Sequence, residues 1–403
     1  MVINSCTVTN EADKNLEYVI RRTRRKHPKL KILLTGCYVE NHLEELSSGK
    51  LVDGVIKKED KYKIPEQVYK TEEVSSEFDA NFDSISKISR FDGHTRAFVK
   101  VQDGCDRSCA FCIITVVRPS LESRGVEEIY EEVKELVSNG YGEIVLTGIQ
   151  LGAYGKDIKT KTDLSDLLER LVLIDGIERI RLSSINPWNL TDKLIDTIKE
   201  NSKICKHLHI AIQSGSDSVL FRMYRGYKMN YLNRILGRIR TEMPCFTFSA
   251  DIIAGFPGET EEEHQETVSF IDKLQPMKLH VFPYSDRRGT AAEKMNGKVN
   301  TAIKKARVAE LIDLSDKYFE FHALNCLGSE QAVLVERVIE TESGFHFYGK
   351  LENYLPVIIE GSEKVESGEI VIAKIKDFID GNLIGFIKEG LDYQGLEKGR
   401  KVV

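Results

Sequence analysis

Six apolar, β-rich runs recur along the middle of the chain: AFVKVQ (97–102), EIVLTGI (143–149), RIRLSSI (179–185), HLHIAIQ (207–213), TFSADIIAG (247–255) and KLHVFPY (278–284). Segments with helical spacing separate them. In VEEIYEEVKELVSNG, Ile129, Val133, Leu136 and Val137 share one face, and Gly140 ends the pattern. Thr260 and Glu263 in GFPGETEEE make a capping box at another helix start. Strands that alternate with helices predict βαβ units and a parallel sheet. Six units predict an α/β fold, an incomplete TIM-like (β/α)6 barrel. In such barrels chemistry gathers at the C-terminal ends of the strands. That rule puts the loop after the first strand at the mouth, with Thr147 and Gly148 beyond the second strand. Gln213 follows the fourth, Gly255 ends the fifth and Tyr284 ends the sixth.

The flanks carry different patterns. Cys6 in VINSC and Cys37 in KILLTGC each follow a short β-rich run and precede a helical pattern. This predicts a small α/β layer over 1–88, ahead of a barrel over 89–325. After a charged helix near 302–324, four runs alternate apolar and polar residues between Gly-rich turns, predicting a small antiparallel β-barrel over 326–392.

Composition narrows the class. The chain has 403 residues, 41% hydrophobic and 30% charged, an ordinary globular balance with ample core material. No run of about 18 uncharged apolar residues occurs, so no membrane span is expected. No secretory apolar stretch opens the chain, which points to the cytoplasm. The net charge of −6 does not advertise nucleic acid as a partner. The basic run VIRRTRRKHPKLK (19–31) is nevertheless a phosphate-binding candidate, or else a solvated helix face.

The chemistry is concentrated in DGCDRSCAFC, where Cys105, Cys109 and Cys112 form C-x3-C-x2-C in a chain with 8 cysteines. Chance gives this spacing anywhere in the chain with a probability of about 0.003. Cytosolic thiols stay reduced, so a cluster of them reads as metal ligands. Structural zinc takes four ligands, and the closest downstream histidine is His207. Three thiolates suit a [4Fe–4S] cluster with one iron left open for a further ligand. Cys205, Cys245 and Cys326 are isolated and read as ordinary thiols. His207 and His209 share one strand face and read as core or rim histidines rather than ligands.

The C-x3-C-x2-C spacing, with Phe111 before the third cysteine, resembles that of radical S-adenosylmethionine (SAM) enzymes. NSCTVTNEAD, TGCYVE, RAFVKVQDGCDRSCAFCII, RIRLSSI, HLHIAIQSGSDSVL, DIIAGFPGET and HVFPYSDRRGTAA extend the resemblance to the radical SAM methylthiotransferases over nearly the whole chain. TVTNEAD looks like the branch that acts on threonylcarbamoyladenosine in tRNA. The resemblance implies addition of a methylthio group to C2 of N6-threonylcarbamoyladenosine at position 37, next to the anticodon. Two SAM molecules and two [4Fe–4S] clusters would be used, one of each yielding a 5′-deoxyadenosyl radical. Cys105, Cys109 and Cys112 would hold the radical SAM cluster. Phe111, Thr147, Gly148, Ser183, Gln213, Gly255 and Tyr284 would contact SAM. Cys6 and Cys37 match two of the three cysteines of the auxiliary cluster. The third belongs to a strand–helix unit that the chain is expected to lack. The C-terminal barrel resembles the RNA-binding TRAM domain. Implied partners are tRNA and an electron donor such as flavodoxin or ferredoxin, with no membrane, and the enzyme is expected to be a monomer. Three positions depart from the family pattern: Asn186 for a usual Glu, Ala211 for a usual Pro, and TVVRPSLESR (115–124). A protein side chain as substrate, or a zinc-bearing RNA-binding protein, are the alternatives from other classes.

Overall fold

In the computed structural model, which describes residues 1–7, 9–48, 51–68, 89–91, 93–159, 161–342 and 344–387, the chain divides into two units that do not follow sequence order. One gathers the described residues of 1–88 with 104–120 and 285–295. The other holds the described residues of 89–103, 121–284 and 296–387. Residues 69–88 and 388–392, within the expected N-terminal layer and C-terminal barrel, lie outside the described residues.

The first unit is built on β1 (Val2–Ser5), α1 (Asn10–Lys26), β2 (Leu33–Gly36), α2 (Cys37–Ser48) and β3 (Gly54–Ile56). The strands are parallel in the order β1-β2-β3, with Val2 opposite Leu33 and Leu33 opposite Gly54. Thr9 caps α1 by accepting the Ala12 N–H at 3.1 Å. Glu11 and Asp13 in its first turn and Arg24, Arg25 and Lys26 in its last complement the helix dipole. Leu16 and Ile20 pack on Ile32, Leu34 and Val39 in one small core. Gly36 ends β2 at φ +102°, where a Cβ would lie 2.3 Å from the Ser5 carbonyl oxygen. Only glycine fits the step from strand to Cys37. Two short helices, α3 (Ile64–Val68) and α4 (Ile114–Val117), complete this unit, and α4 packs on α2.

The second unit realises the alternating pattern. Its strands are β4 (Arg96–Asp103), β5 (Glu122–Ser123), β6 (Glu143–Gly148), β7 (Arg179–Leu182), β8 (Ser184–Ile185), β9 (His207–Gln213), β10 (Thr247–Ala254) and β11 (Lys278–Pro283). Helices α5 (Val126–Ser138), α6 (Leu164–Leu171), α7 (Asp192–Glu200), α8 (Asp217–Arg222), α9 (Met229–Glu242) and α10 (Glu261–Leu274) lie between them. The strands form β5-β4-β6-β7 and β8-β9-β10-β11, parallel throughout except for the small β5, and an Ile180–Ile204 bridge joins the two sets. The expected third strand is thus broken at Ser183, whose N–H still donates to Leu146 O at 3.0 Å before the chain turns to pair with β9.

Strand alternation sorts the two faces. Val99, Ile144, Leu146, Ile180, Leu208, Ile210, Ala250 and Ile252 share a core with Ile129, Val133, Leu167, Leu194 and Leu236 of the helices. The alternate residues, Glu143, Arg181, His207, His209, Ser249, Asp251 and His280, face the other way, into the lumen of the curled sheet.

At the N-terminal ends of these strands sits a buried ionic knot. Glu143 is fully buried and takes Arg181 Nε at 2.9 Å, Arg179 Nη1 at 3.0 Å and Arg96 Nε at 3.4 Å. Burial pushes the Glu143 carboxyl up, but Arg181, Arg179 and Arg96 outweigh it and hold it below its usual range. The same arginines reach the C-terminal barrel. Arg96 pairs with Glu336, Arg179 donates to Ala332 O at 3.2 Å, and the Arg181 guanidinium lies 3.8 Å over the Tyr354 ring.

That barrel follows α11 (Thr301–Leu324) and consists of β12 (Glu330–Thr341), β13 (Gly344–Leu351), β14 (Pro356–Gly361), β15 (Ile370–Ile379) and β16 (Asn382–Ile387), closed in the order β12-β13-β14-β16-β15. It is not wholly antiparallel as expected: β14 and β16 pair in parallel. Closure requires that pairing, because β15 already uses the antiparallel edges of β12 and β16.

Candidate active site

The loop that follows β4 carries the three spaced cysteines. Gly104 opens it at φ +72°, with the space for a Cβ filled by the Ser120 carbonyl oxygen at 1.7 Å. The Cys105 N–H donates to Arg118 O at 3.1 Å, and the Cys112 N–H donates to Cys109 O at 3.0 Å. All three cysteines are half-buried. Burial pushes the Cys105 thiol up, the Arg107 N–H opposes that shift, and neighbouring Cys109 adds to it. A soft thiolate set with a backbone N–H aimed at one sulfur fits an iron–sulfur cluster.

The same unit holds the N-terminal cysteines. Cys6 follows β1 and is exposed, while Cys37 begins α2 and is half-buried. Arg118, from the cysteine loop, donates Nη2 to Cys37 Sγ at 3.2 Å. The 285–295 segment braces both parts. Ala292 N–H donates to Ala110 O at 2.8 Å, beside the cysteines. Arg287 pairs with Asp13 at 2.9 Å and donates to Thr7 Oγ1 at 2.5 Å. The motifs DRRGT and CTVTNEAD are therefore joined through a buried guanidinium.

In the other unit, the residues expected at strand ends differ in their engagement. Gln213 is buried at φ +77°, an unusual conformation for a non-glycine residue, beside an irregularity in the β9–β10 register. Backbone strain of this kind costs about 1–3 kcal/mol and is concentrated at functional sites. The Ser183 hydroxyl is buried and, among the described residues, has no hydrogen-bond partner. Thr147 instead donates to Val99 O at 3.3 Å. Gly148 leaves room for Gln102, whose Oε1 accepts the Gln150 N–H at 2.8 Å. At Gly255 a Cβ would meet Lys304 Cγ at 2.2 Å, so the Lys304 stem covers this glycine. Tyr284 is buried edge-on to Phe256 at 5.3 Å, with Lys298 Nζ 5.3 Å from its ring centre. Phe111, in the cysteine loop, is half-buried. Two of the three family departures meet at one residue: Arg225 donates to Asn186 Oδ1 at 2.9 Å and to the Ala211 carbonyl, stacked 4.3 Å over Trp188.

Sequence reasoning missed a second polar group. His209 Nε2 lies 3.0 Å and His280 Nδ1 3.7 Å from Asp251 Oδ1, and the two imidazole centres are 4.9 Å apart. Register is what assembles it: His209 lies opposite Ser249, and Asp251 opposite His280. His207 remains the core histidine it was expected to be, its pKa held well below the ordinary value by burial and by Arg181.

A helix-backed parallel sheet whose first strand leads into this three-cysteine loop is that of a radical SAM enzyme, and the Radical SAM superfamily model matches residues 99–271. Residues 1–57 match the Uncharacterized protein family UPF0004. The chain is 40% identical over 382 residues to the threonylcarbamoyladenosine tRNA methylthiotransferase MtaB of Bacillus subtilis (strain 168), covering 93% of this chain and 84% of that one. It is 32% identical over 388 residues to the tRNA-2-methylthio-N(6)-dimethylallyladenosine synthase of Carboxydothermus hydrogenoformans, covering 94% and 88%. The radical SAM methyltransferase TsrM of Kitasatospora setae shares the fold, with a TM-score of 0.53 at 13% identity over 72% of this chain and 65% of that one. The chain belongs to the radical SAM tRNA methylthiotransferases. It is an enzyme of that class, with a [4Fe–4S] cluster and SAM as its cofactors.

Proposed function

We propose that this enzyme adds a methylthio group to C2 of N6-threonylcarbamoyladenosine at position 37 of tRNA, using two SAM molecules and two [4Fe–4S] clusters. The observation that carries the choice of nucleoside is the 40% identity, over most of both chains, to a relative named for threonylcarbamoyladenosine. Relatives named for dimethylallyladenosine stand at 30–32%.

Cys105, Cys109 and Cys112 would hold the radical SAM cluster, and Cys37 with Cys6 would contribute to the second. When bound, these groups supply the radical that removes the C2 hydrogen and the sulfur that replaces it. The protein's own part is to hold and shield. The Arg107 N–H and the Arg118 guanidinium direct positive dipole and charge at Cys105 and Cys37. The orphaned Ser183 hydroxyl and the strained Gln213 support contact with SAM, and Phe111, Thr147, Gly148, Gly255 and Tyr284 are the further candidates for that role. Exposed Arg22, Arg25 and Lys26 on α1 are the basic residues for tRNA phosphates, and the C-terminal barrel is the second RNA contact. Arg24 is less suited, because it already pairs with Asp53 at 2.5 Å. Among the described residues no helix is long and apolar enough to cross a membrane. A cytoplasmic monomer fed by flavodoxin or ferredoxin completes the reading, with functional domains at 1–88, 89–325 and 326–392.

The test is nucleoside mass spectrometry of tRNA from cells lacking the gene, complemented with this chain or with its C109A variant. Methylthio-threonylcarbamoyladenosine should return only with the unmodified chain. Methylthio groups appearing on the dimethylallyl nucleoside instead would overturn the assignment.

A further inference from the structure

The geometry points to a divalent transition-metal site in the lumen of the partial barrel, held by His209, Asp251 and His280 with no thiolate among its ligands. The donor atoms come from three adjacent parallel strands, β9, β10 and β11, and all lie within 4.8 Å of one another. With metal–ligand bonds of about 2.1 Å, neighbouring donors in one coordination shell stand roughly 3.0 Å apart at right angles and roughly 3.4 Å apart at tetrahedral angles. The 3.0 Å separation of His209 from Asp251 falls in that range, and His280, at 3.7 Å, is about 0.3 Å beyond it, within reach of a side-chain rotation. Two imidazoles and one carboxylate gathered on one side form a facial set with further positions open.

An outer layer of hydrogen bonds fixes the ligands. His209 Nδ1 is engaged by Ser249 Oγ at 2.9 Å, which commits Nε2 to Asp251 and the ion. Ser249 Oγ is itself 3.3 Å from His207 Nε2, a ring buried against Tyr354 and linked to Thr247 Oγ1 at 2.8 Å. The site therefore rests on strands and a packed base, not on loops. Access is open: the His209, Asp251 and His280 side chains are 19%, 22% and 51% exposed. Their backbone neighbours Ile210, Ala250 and Ile252 point the opposite way into the helix-backed core.

A divalent ion here gives a site of net charge +1, whose open positions take an oxygen donor from a ligand in the lumen. A substrate carboxylate of the amino-acid type suits it. That last assignment rests on the proposed nucleoside, whereas the metal site does not.

Manganese is the probe, because nitrogen and oxygen donors accept it while thiolates favour softer ions. The oxidised, cluster-loaded enzyme is titrated with Mn2+, following loss of the free-ion EPR signal. One ion per chain should bind and be displaced by Zn2+. D251N and H280A should each weaken binding at least about tenfold, and S249A should weaken it by about tenfold. E131Q, on the exposed face of α5, should leave it unchanged. His280 is half exposed, so H280A preserves the fold, which its melting temperature verifies. Absence of binding at millimolar Mn2+, or equal binding by the enzyme, D251N and H280A, overturns the metal site. Free threonylcarbamoyladenosine, but not adenosine, should then alter the bound-ion spectrum. If neither does, the metal site stands and the carboxylate assignment falls.

Discussion

Arg118 joins two cysteines 68 positions apart in sequence: its carbonyl accepts the Cys105 N–H at 3.1 Å, and its guanidinium reaches Cys37 Sγ at 3.2 Å. A cationic donor to a cluster sulfur favours the reduced state. R118A should therefore make the potential of a cluster held by Cys37 more negative, with iron content kept and R118K intermediate. A redox titration followed by EPR measures this, and an unchanged potential would leave Arg118 a packing residue.

Ligand assignments separate by iron count. C109A should lose about four irons per chain together with reductive cleavage of SAM. The double variant C6A/C37A should lose a further set of about four while still cleaving SAM. Iron and sulfide analysis with a 5′-deoxyadenosine assay reads both.

Two glycines with positive φ offer a matched pair. G104A places a Cβ 1.7 Å from Ser120 O, so the cysteine loop must shift, whereas at Gly140, with φ +97°, nothing lies within 4 Å. G140A should cost about 1 kcal/mol and keep its iron. G104A should cost more, on the order of 3 kcal/mol, and lose cluster. Thermal melts and iron content decide between them.

Removing Glu143 leaves Arg179 and Arg181 without a carboxylate, while Arg96 keeps Glu336. E143A should destabilise by about 3–5 kcal/mol, since a buried partner charge is left uncompensated. It should also loosen the C-terminal barrel, which Arg96, Arg179 and Arg181 hold, making the segment after α11 sensitive to protease.

Acid should weaken the second unit through two carboxylates. Burial raises Glu263, but Arg222, Ser218 and the Thr260 N–H outweigh it and bring its pKa from 4.5 down to about 2. A group with a lowered folded pKa contributes its stability above the unfolded value and loses it as pH falls through the folded one. Stability should thus decline between pH 4.5 and about 2, with Glu143 contributing in the same direction. In melts across that range E263Q should show a shallower decline and a lower melting temperature at pH 6, because it keeps the capping box but removes the charge that pairs with Arg222.

The sequence by itself determined what depends on neighbours along the chain. HLHIAIQ is a strand over the residues its pattern marks, Thr260 and Glu263 cap α10, and Ile129, Val133 and Leu136 are buried on one face of α5. Each follows from a period of two or 3.6, from a cap, or from a turn, all set within a few residues. The cysteine spacing is equally local, which is why its chemistry was legible. Tertiary structure decided what depends on register and on distant segments. It grouped 104–120 and 285–295 with the N-terminal strands, placed Arg118 on Cys37, and broke the third strand at Ser183. It also set three arginines on Glu143 and brought Asp251 between His209 and His280. A strand pattern tells which face a side chain takes, but not which residue of the next strand stands beside it. That choice is made by pairing across tens of residues, where the whole buried face must fit at once.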